Sequence, residues 1–531
     1  MIEVSDAWKN IQYRFLLPET YLELTVGVTD LGVHEVVSVA AVNEAIISKA
    51  SQTVENPEEH KPPKYATLEH NLWSLDGSRG LFPGGSASES LGYVSKDTSE
   101  AKITLSVPEP RDVWIPGFTI KWSTEYDEYP VNFAVTVKKG DTTVDSAYIT
   151  GNASSVSEVA LPVKDYDTVI IEAYEWCLPD HRARIDLVSF GHVLTFTKKD
   201  IMSFTHEQHG SLNSGEISKN SIEFTLDNTS DRWNPMNPTG LERYLSERQL
   251  VNVRYGMDID GTTEWIKAGS FYLSEWRTPA NGLEASFVAR DIFEYLINAP
   301  YTGPKSGTLL ELTQAALDSG NLPESLVVSL DSVLKNYSAT LTEDYTAAEV
   351  IQMCANAAGC VIYQDRSGEL HITPLNQQHS NYTITSALSY AHPELTLSKP
   401  IRKISVSYGE ELAYVLNVGD SGENQTLDNP LVNTEAQAQQ LAQWIWETMK
   451  TRKTVSGEFR ADPRLDLFDV VSVQSKYGVI NPVVITDVKY SYSGSFNATY
   501  TGRSYEEESE NTPVLGKFIV GVSILGKGAT T

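Results

Sequence analysis

Two stretches of this sequence combine aromatic rings with carboxylate, amide or guanidinium groups. One is Trp122-Ser123-Thr124-Glu125-Tyr126-Asp127-Glu128-Tyr129; the other is Tyr174-Glu175-Trp176, followed by Asp180-His181-Arg182. That mixture suits a saccharide: the C–H face of the sugar lies on an aromatic face, and its hydroxyls pair with the polar groups around it. Trp122, Tyr126, Glu128, Trp176 and Arg182 are therefore the candidate carbohydrate-binding residues. The competing expectation is that Trp122 and Trp176 are core residues, because large aromatics dominate buried area. Trp73, Asp76 and Arg79 form a smaller group of the same kind, with Trp73 and Trp114 read first as core. Asp76-Gly77-Ser78 offers oxygen ligands to calcium but reads first as a plain turn.

Catalysis finds no comparable support. With 70 acidic residues, near neighbours such as Glu125/Asp127/Glu128 and Asp258/Asp260 arise by chance. A glycosidase needs two carboxyls facing each other across a cleft. His206-Glu207-Gln208-His209 lacks the HExxH spacing that sets two histidines on one helical face toward a metal, and both are expected in a loop. The sequence has neither a GxSxG elbow nor a glycine-rich phosphate loop. Cys177, Cys354 and Cys360 are odd in number and lack paired CxxC units, so no disulfide framework or zinc site is expected. The expectation is a protein without catalytic residues, cofactor or metal.

A net charge of -29 disfavours binding to nucleic acid, which needs clustered Lys and Arg to neutralise phosphates, and equally disfavours an anionic membrane surface. It suits plain solubility, or a ring whose acidic lumen lets DNA pass without sticking. No stretch has the apolar length of a membrane span, and no signal-peptide pattern opens the chain. Synthesis in the cytoplasm is expected, with release by another route such as lysis.

At 531 residues the chain exceeds a single core. Its Tyr-, Trp-, Val- and Thr-rich alternation favours a mainly β, multi-domain protein. Residues 1–59 read as an arm and linker: 21–28 alternates like a strand, 36–49 reads as strand or helix, and 55–64 is charged and proline-rich. Short alternating runs at 101–107, 118–123, 133–138, 143–149, 168–173 and 183–190, separated by turns such as Lys139-Gly140-Asp141, predict a β-sandwich over 60–191. Amphipathic helices are predicted at 307–319 and 347–358. The clearest helix is 435–452, with Asn433-Thr434 as its N-cap. Strands are expected at 359–363, 370–373, 402–408, 454–460 and 470–474, and 518–525 is a candidate edge strand in an acidic tail.

Residues 219–255 are the most informative. Alternation over 221–226 runs into Asp227-Asn228, and then Asp231-Arg232-Trp233-Asn234-Pro235-Met236-Asn237-Pro238-Thr239-Gly240 packs turn formers too densely for a helix. Trp233 is expected to anchor this excursion against a sheet; 241–249 reads as a short helix and 250–255 as a strand. This order, followed by Gly269-Ser270-Phe271-Tyr272-Leu273, resembles tail-tip proteins of phages that infect Gram-positive bacteria, in which a β-rich baseplate-hub domain closes the tail tube. The resemblance covers 191–300 and extends more weakly to about 502. Asp231, Arg232, Trp233, Asn234 and Pro235 are its structural motif. Residues 65–78 and 182–187 are similar to the opening and the last strand of discoidin-like, galactose-binding-type jelly rolls found in phage tail proteins.

The resemblance implies a jelly-roll sandwich placed before β-barrel-like hub domains. The segments are a hub β-domain (192–302), an α+β domain (303–402), a second hub β-domain (403–503) and a tail (504–531). It implies a virion protein at the tail tip or baseplate, a homotrimeric ring whose partners are the distal tail ring and tail-tip or fibre proteins, with host polysaccharide as a further partner. The alternatives are a carbohydrate-binding adhesin and a cell-wall hydrolase. Glu242/Arg243 and Glu247/Arg248 read as links between subunits or as surface salt bridges.

Overall fold

The computed structural model describes residues 1–12, 19–30, 32–41, 53–54, 102–124, 126–178, 185–234, 236–237, 242, 245, 247–259, 261–278, 282–323, 326–375, 382–409 and 411–504. The expected linker at 55–64, the jelly-roll opening at 65–78, Trp73, Asp76, Arg79, Arg182, Pro235 and the acidic tail lie outside these residues. The protein is mainly β, with several sheets. Among the described residues no helix is long and apolar enough to cross a membrane.

The chain divides into two compact units, each assembled from separate pieces of sequence. One comprises Leu24–Phe196 with Asp231–Asn252; the other comprises Met1–Glu23, Thr197–Ser230 and Val253–Thr531.

The first unit is a β-sandwich. One sheet takes strand Thr20–Thr29 beside Leu187–Phe196, then Ile115–Lys121 and Val156–Val163, all antiparallel. The other runs Ser38–Ala41, Lys102–Arg111, Tyr166–Trp176, Pro130–Lys139 and Thr142–Ile149. Ile103, Leu105, Phe118, Ile120, Phe133, Val135, Leu161, Ile171 and Phe190 fill one core between the sheets. Period-two alternation explains this, because every second residue of a strand faces inward; Val156–Val163 alternates without a break.

Residues 21–28 form a strand as expected, Thr20–Thr29, and contribute buried Leu24 and Val26, whereas the strand Val156–Val163 is absent from the expected runs. The ambiguous stretch at 36–49 begins as a short helix, Val33–Val36, and continues as strand Ser38–Ala41. Asp30, buried next to the first strand, receives both arms of the Arg111 guanidinium at 2.8 and 2.6 Å. Gly117 sits at a bulge with φ 157°, and a Cβ built there falls 1.9 Å from the Val159 carbonyl oxygen, so only glycine lets the strands approach.

In the other unit a long sheet runs in the order Glu394–Leu397, Lys453–Phe459, Phe496–Ser504, Gly478–Tyr492, Ile201–His209, Lys219–Asp227, Glu284–Arg290, Thr262–Arg277 and Leu250–Ile259. Helices Leu309–Ser319 and Ala347–Ala357 pack together, each opened by a capping box, Thr308 with Glu311 and Thr346 with Glu349. A three-stranded sheet of Val328–Leu330, Leu370–Thr373 and Val361–Gln364 accompanies them. Helix Glu435–Met449, capped by Thr434, packs on strands Ile401–Tyr408 and Leu412–Asn417.

Candidate functional site

Trp122 and Trp176, expected to present their faces to a sugar, are 0% and 1% exposed. Their rings meet edge to face at 6.2 Å, and Trp122 also meets Phe133 at 5.1 Å. Each indole N–H has a partner inside: Trp122 donates to Ser157 Oγ at 2.9 Å and Trp176 to Glu128 Oε2 at 3.2 Å. With its one polar atom satisfied, a tryptophan buries without penalty, so these rings are core. Glu128 is buried too, and its backbone pairs with Ser123 to close the turn between them. Tyr126, on that turn, is half-buried. The expected site is thus corrected in three of its members: Trp122, Glu128 and Trp176 form an internal cluster and offer no face to solvent.

An aromatic pair does reach the surface on the outer face of the five-stranded sheet. Tyr148 is 62% exposed, and its ring lies 5.4 Å from that of Tyr174 at an interplanar angle of 37°. Strand register puts Tyr148 and Glu172 in one cross-strand row through Ala134, with Tyr174 two residues beyond Glu172 on the same face. The Tyr174 hydroxyl donates to Glu172 Oε2 at 3.0 Å; burial first, and the Glu172 carboxylate second, push its pKa up to about 12. On the neighbouring strand the Asn132 side-chain amide donates to Glu175. Two tilted rings rimmed by carboxylates and an amide have the chemistry sought at Trp122 and Trp176. Strand parity was the available signal: Phe133, Val135 and Val137 point inward, so the Ala134 row points outward.

The Asp231 excursion is held by its own side chains. Asn234 Nδ2 donates to Asp231 Oδ1 at 2.9 Å, Met236 N–H to Asn234 Oδ1 at 2.9 Å, and Asn237 Nδ2 to the Asp231 carbonyl at 2.8 Å. These side-chain turns are why Asn and Asp dominate such segments. Trp233 is buried with its ring 5.7 Å from Phe196, whereas Asp231 and Arg232 are exposed. Arg232 acts electrostatically on Glu158, whose pKa burial raises and Arg232 lowers, with burial prevailing.

His206 and His209 lie on a strand and not in a loop, and three residues apart they fall on opposite faces. His206 is completely buried. Its Nε2–H donates to Asn220 Oδ1 at 2.8 Å and its Nδ1 accepts from the Tyr255 hydroxyl at 2.7 Å, while burial and the nearby Arg366 lower its pKa to about 3. His209 bridges Asp487 at 2.5 Å and Glu216 at 3.0 Å. Beneath this sheet Arg366 is also buried. It donates to the Pro463 and Leu465 carbonyls, pairs with Asp466 at 3.5 Å and lies 5.0 Å over the Tyr490 ring.

One group of three potential metal ligands is brought together among the described residues: Asp365, Glu369 and His371. The sequence reading missed it, although residues 365, 369 and 371 share one parity along a hairpin.

No protein-family model matches the chain, and no curated protein matches it. Among solved structures it is similar to phage tail proteins. The 43 kDa tail protein of prophage MuSo2 from Shewanella oneidensis is 13% identical, over 59% of this chain and 95% of that one, with a TM-score of 0.42. A tail protein from Neisseria meningitidis MC58 is 12% identical over 59% and 94%, with a TM-score of 0.43. Prophage tail protein gp18 from Listeria monocytogenes EGD-e is 12% identical over 60% and 92%, with a TM-score of 0.39.

Proposed function

We propose that this protein is a structural baseplate-hub component of a bacteriophage tail tip, with copies closing into a trimeric ring around the tail axis and binding neighbouring tail proteins. The observation that carries the reading is the stretch at 219–255. Its strand, Asp-Arg-Trp-Asn-Pro excursion and returning strand resemble those of tail-tip proteins, and here the excursion is a self-bonded loop pinned by Trp233. The long antiparallel sheet suits assembly. Its terminal strand Glu394–Leu397 is exposed throughout and carries Leu395 and Leu397 outward, an edge that a second copy covers. The test is the native mass of the purified chain at high concentration. A trimer is expected; a strict monomer that cleaves cell-wall polysaccharide overturns the reading in favour of a hydrolase.

A second element of the proposal is contact with host saccharide, supported by the exposed Tyr148–Tyr174 pair and its Glu172 neighbour. Repetition around a ring strengthens weak single contacts. Retention of the chain on immobilised host polysaccharide, lost when both tyrosines are replaced, tests this part separately.

A further inference from the structure

We infer that Asp365, Glu369 and His371 form a zinc-class divalent cation site at the tip of the hairpin joining Val361–Gln364 to Leu370–Thr373. The register pairs Tyr363 with His371, and the Asp365 N–H bonds the Glu369 carbonyl at 2.9 Å, so Tyr363, Asp365, Glu369 and His371 share one face. Gln364 and Leu370, of opposite parity, are buried on the other face. The donor atoms of the three ligands all lie within 4.8 Å of one another. His371 Nε2 and Asp365 Oδ2 are 3.1 Å apart. That contact is a hydrogen bond; two donors about 2.1 Å from one tetrahedral zinc stand about 3.4 Å apart, so an ion replaces the shared proton with a small outward shift of the pair, and the Glu369 side chain supplies the third ligand.

The surroundings hold Asp365 and His371 in place. Asp365 uses its other oxygen, Oδ1, to accept from Ser367 Oγ at 2.6 Å and Glu369 N–H at 3.0 Å, which locks the carboxylate in place. The Tyr363 ring stacks on His371 at 5.0 Å and 22°, holding the imidazole plane. The cationic side chain of the turn itself, Arg366, is turned into the core and spent on the Pro463 and Leu465 carbonyls. Lys267 reaches the turn, but it donates to the Ser367 carbonyl at 2.9 Å. One imidazole with two carboxylates selects zinc or a similar borderline metal over calcium or magnesium, which take oxygen alone.

The test is calorimetric titration of the chelator-treated full-length chain with zinc ion at about pH 8, because metal binding must displace protons from its ligands. One ion per chain is expected, with a raised melting temperature. Glu369→Gln, Asp365→Asn (which keeps an acceptor for the turn) and His371→Gln should each weaken binding by about tenfold or more, and His209→Gln should not. No zinc uptake, or uptake unchanged in Glu369→Gln and His371→Gln proteins whose zinc-free melting temperatures match the parent, overturns the assignment. Full displacement of zinc by calcium overturns it as well.

Discussion

The Arg366 guanidinium lies 5.0 Å over the ring of Tyr490, and both side chains are removed from solvent. Tyr490 in turn donates to the Leu465 carbonyl at 2.6 Å, the same oxygen that receives Arg366 at 2.5 Å. One arginine thus fixes the 463–466 turn to the sheet. Arg366→Ala should lower stability by about 3–5 kcal/mol, because it leaves two carbonyls and Asp466 without their buried cation. Arg366→Lys should recover little, since an ammonium cannot reach both carbonyls in one plane. Denaturant unfolding of the two variants measures this.

Trp233→Ala should cost about 3–5 kcal/mol, the usual loss for a buried tryptophan, and should open the 231–249 excursion to limited proteolysis. Trp233→Phe should keep most of the protection, because a ring still meets Phe196.

The two histidines of the 201–209 strand should push stability in opposite directions with pH. His206 is held neutral to about 3, below the unfolded value of about 6.5, so its contribution is complete above about pH 6.5 and is lost progressively as pH falls toward 3. His209 titrates higher than usual: burial lowers it, but hydrogen bonds to Asp487 and Glu216 outweigh that. Its contribution is complete below about pH 6.5 and disappears as pH rises through the raised folded value. Melting curves across pH should show a shallower acid loss in His206→Gln, from a lower start, and a shallower loss above neutrality in His209→Gln.

Tyr148→Ala and Tyr174→Ala should abolish retention on host polysaccharide with less than about 1 kcal/mol lost in folding, as expected of exposed or half-exposed side chains. Trp122→Phe should do the reverse: it disturbs the core and leaves retention intact. Binding and unfolding measured on the same preparations separate the two.

Gly117→Ala should lower the melting temperature of the sandwich unit markedly, because the added Cβ meets the Val159 carbonyl oxygen directly. Gly140→Ala is the control: it shares a positive φ of 57° but has open space around it, so only the smaller backbone strain remains.

Periodicity made much of the fold readable. Helices at 309–319, 347–357 and 435–449 carry Thr caps and apolar stripes, and strands such as 133–138 and 168–173 alternate visibly. What periodicity hides is which face of an aromatic-rich strand turns inward. Trp122 and Trp176 look like ligand platforms until their N–H partners, Ser157 and Glu128, are known, and those lie on a strand and a turn remote in sequence from each ring. The Asp365–Glu369–His371 group was missed for a related reason. Its spacing matches no helical metal motif, and only hairpin pairing makes these side chains neighbours. Residues 231–252 were read together with the strands that flank them in sequence, whereas the fold groups them with Leu24–Phe196.

That grouping has a consequence for how the molecule can be cut or recombined. The polypeptide passes between its two units at 23/24, 196/197, 230/231 and 252/253. A single protease nick at any of these junctions should leave fragments that copurify until denaturant separates them. A gene segment encoding 24–196 should fail as an independent cassette, since it lacks the Trp233 that covers Phe196. Grafting the sandwich onto another scaffold therefore requires transplanting two inserts at once, with the intervening 34 residues, 197–230, replaced by host sequence.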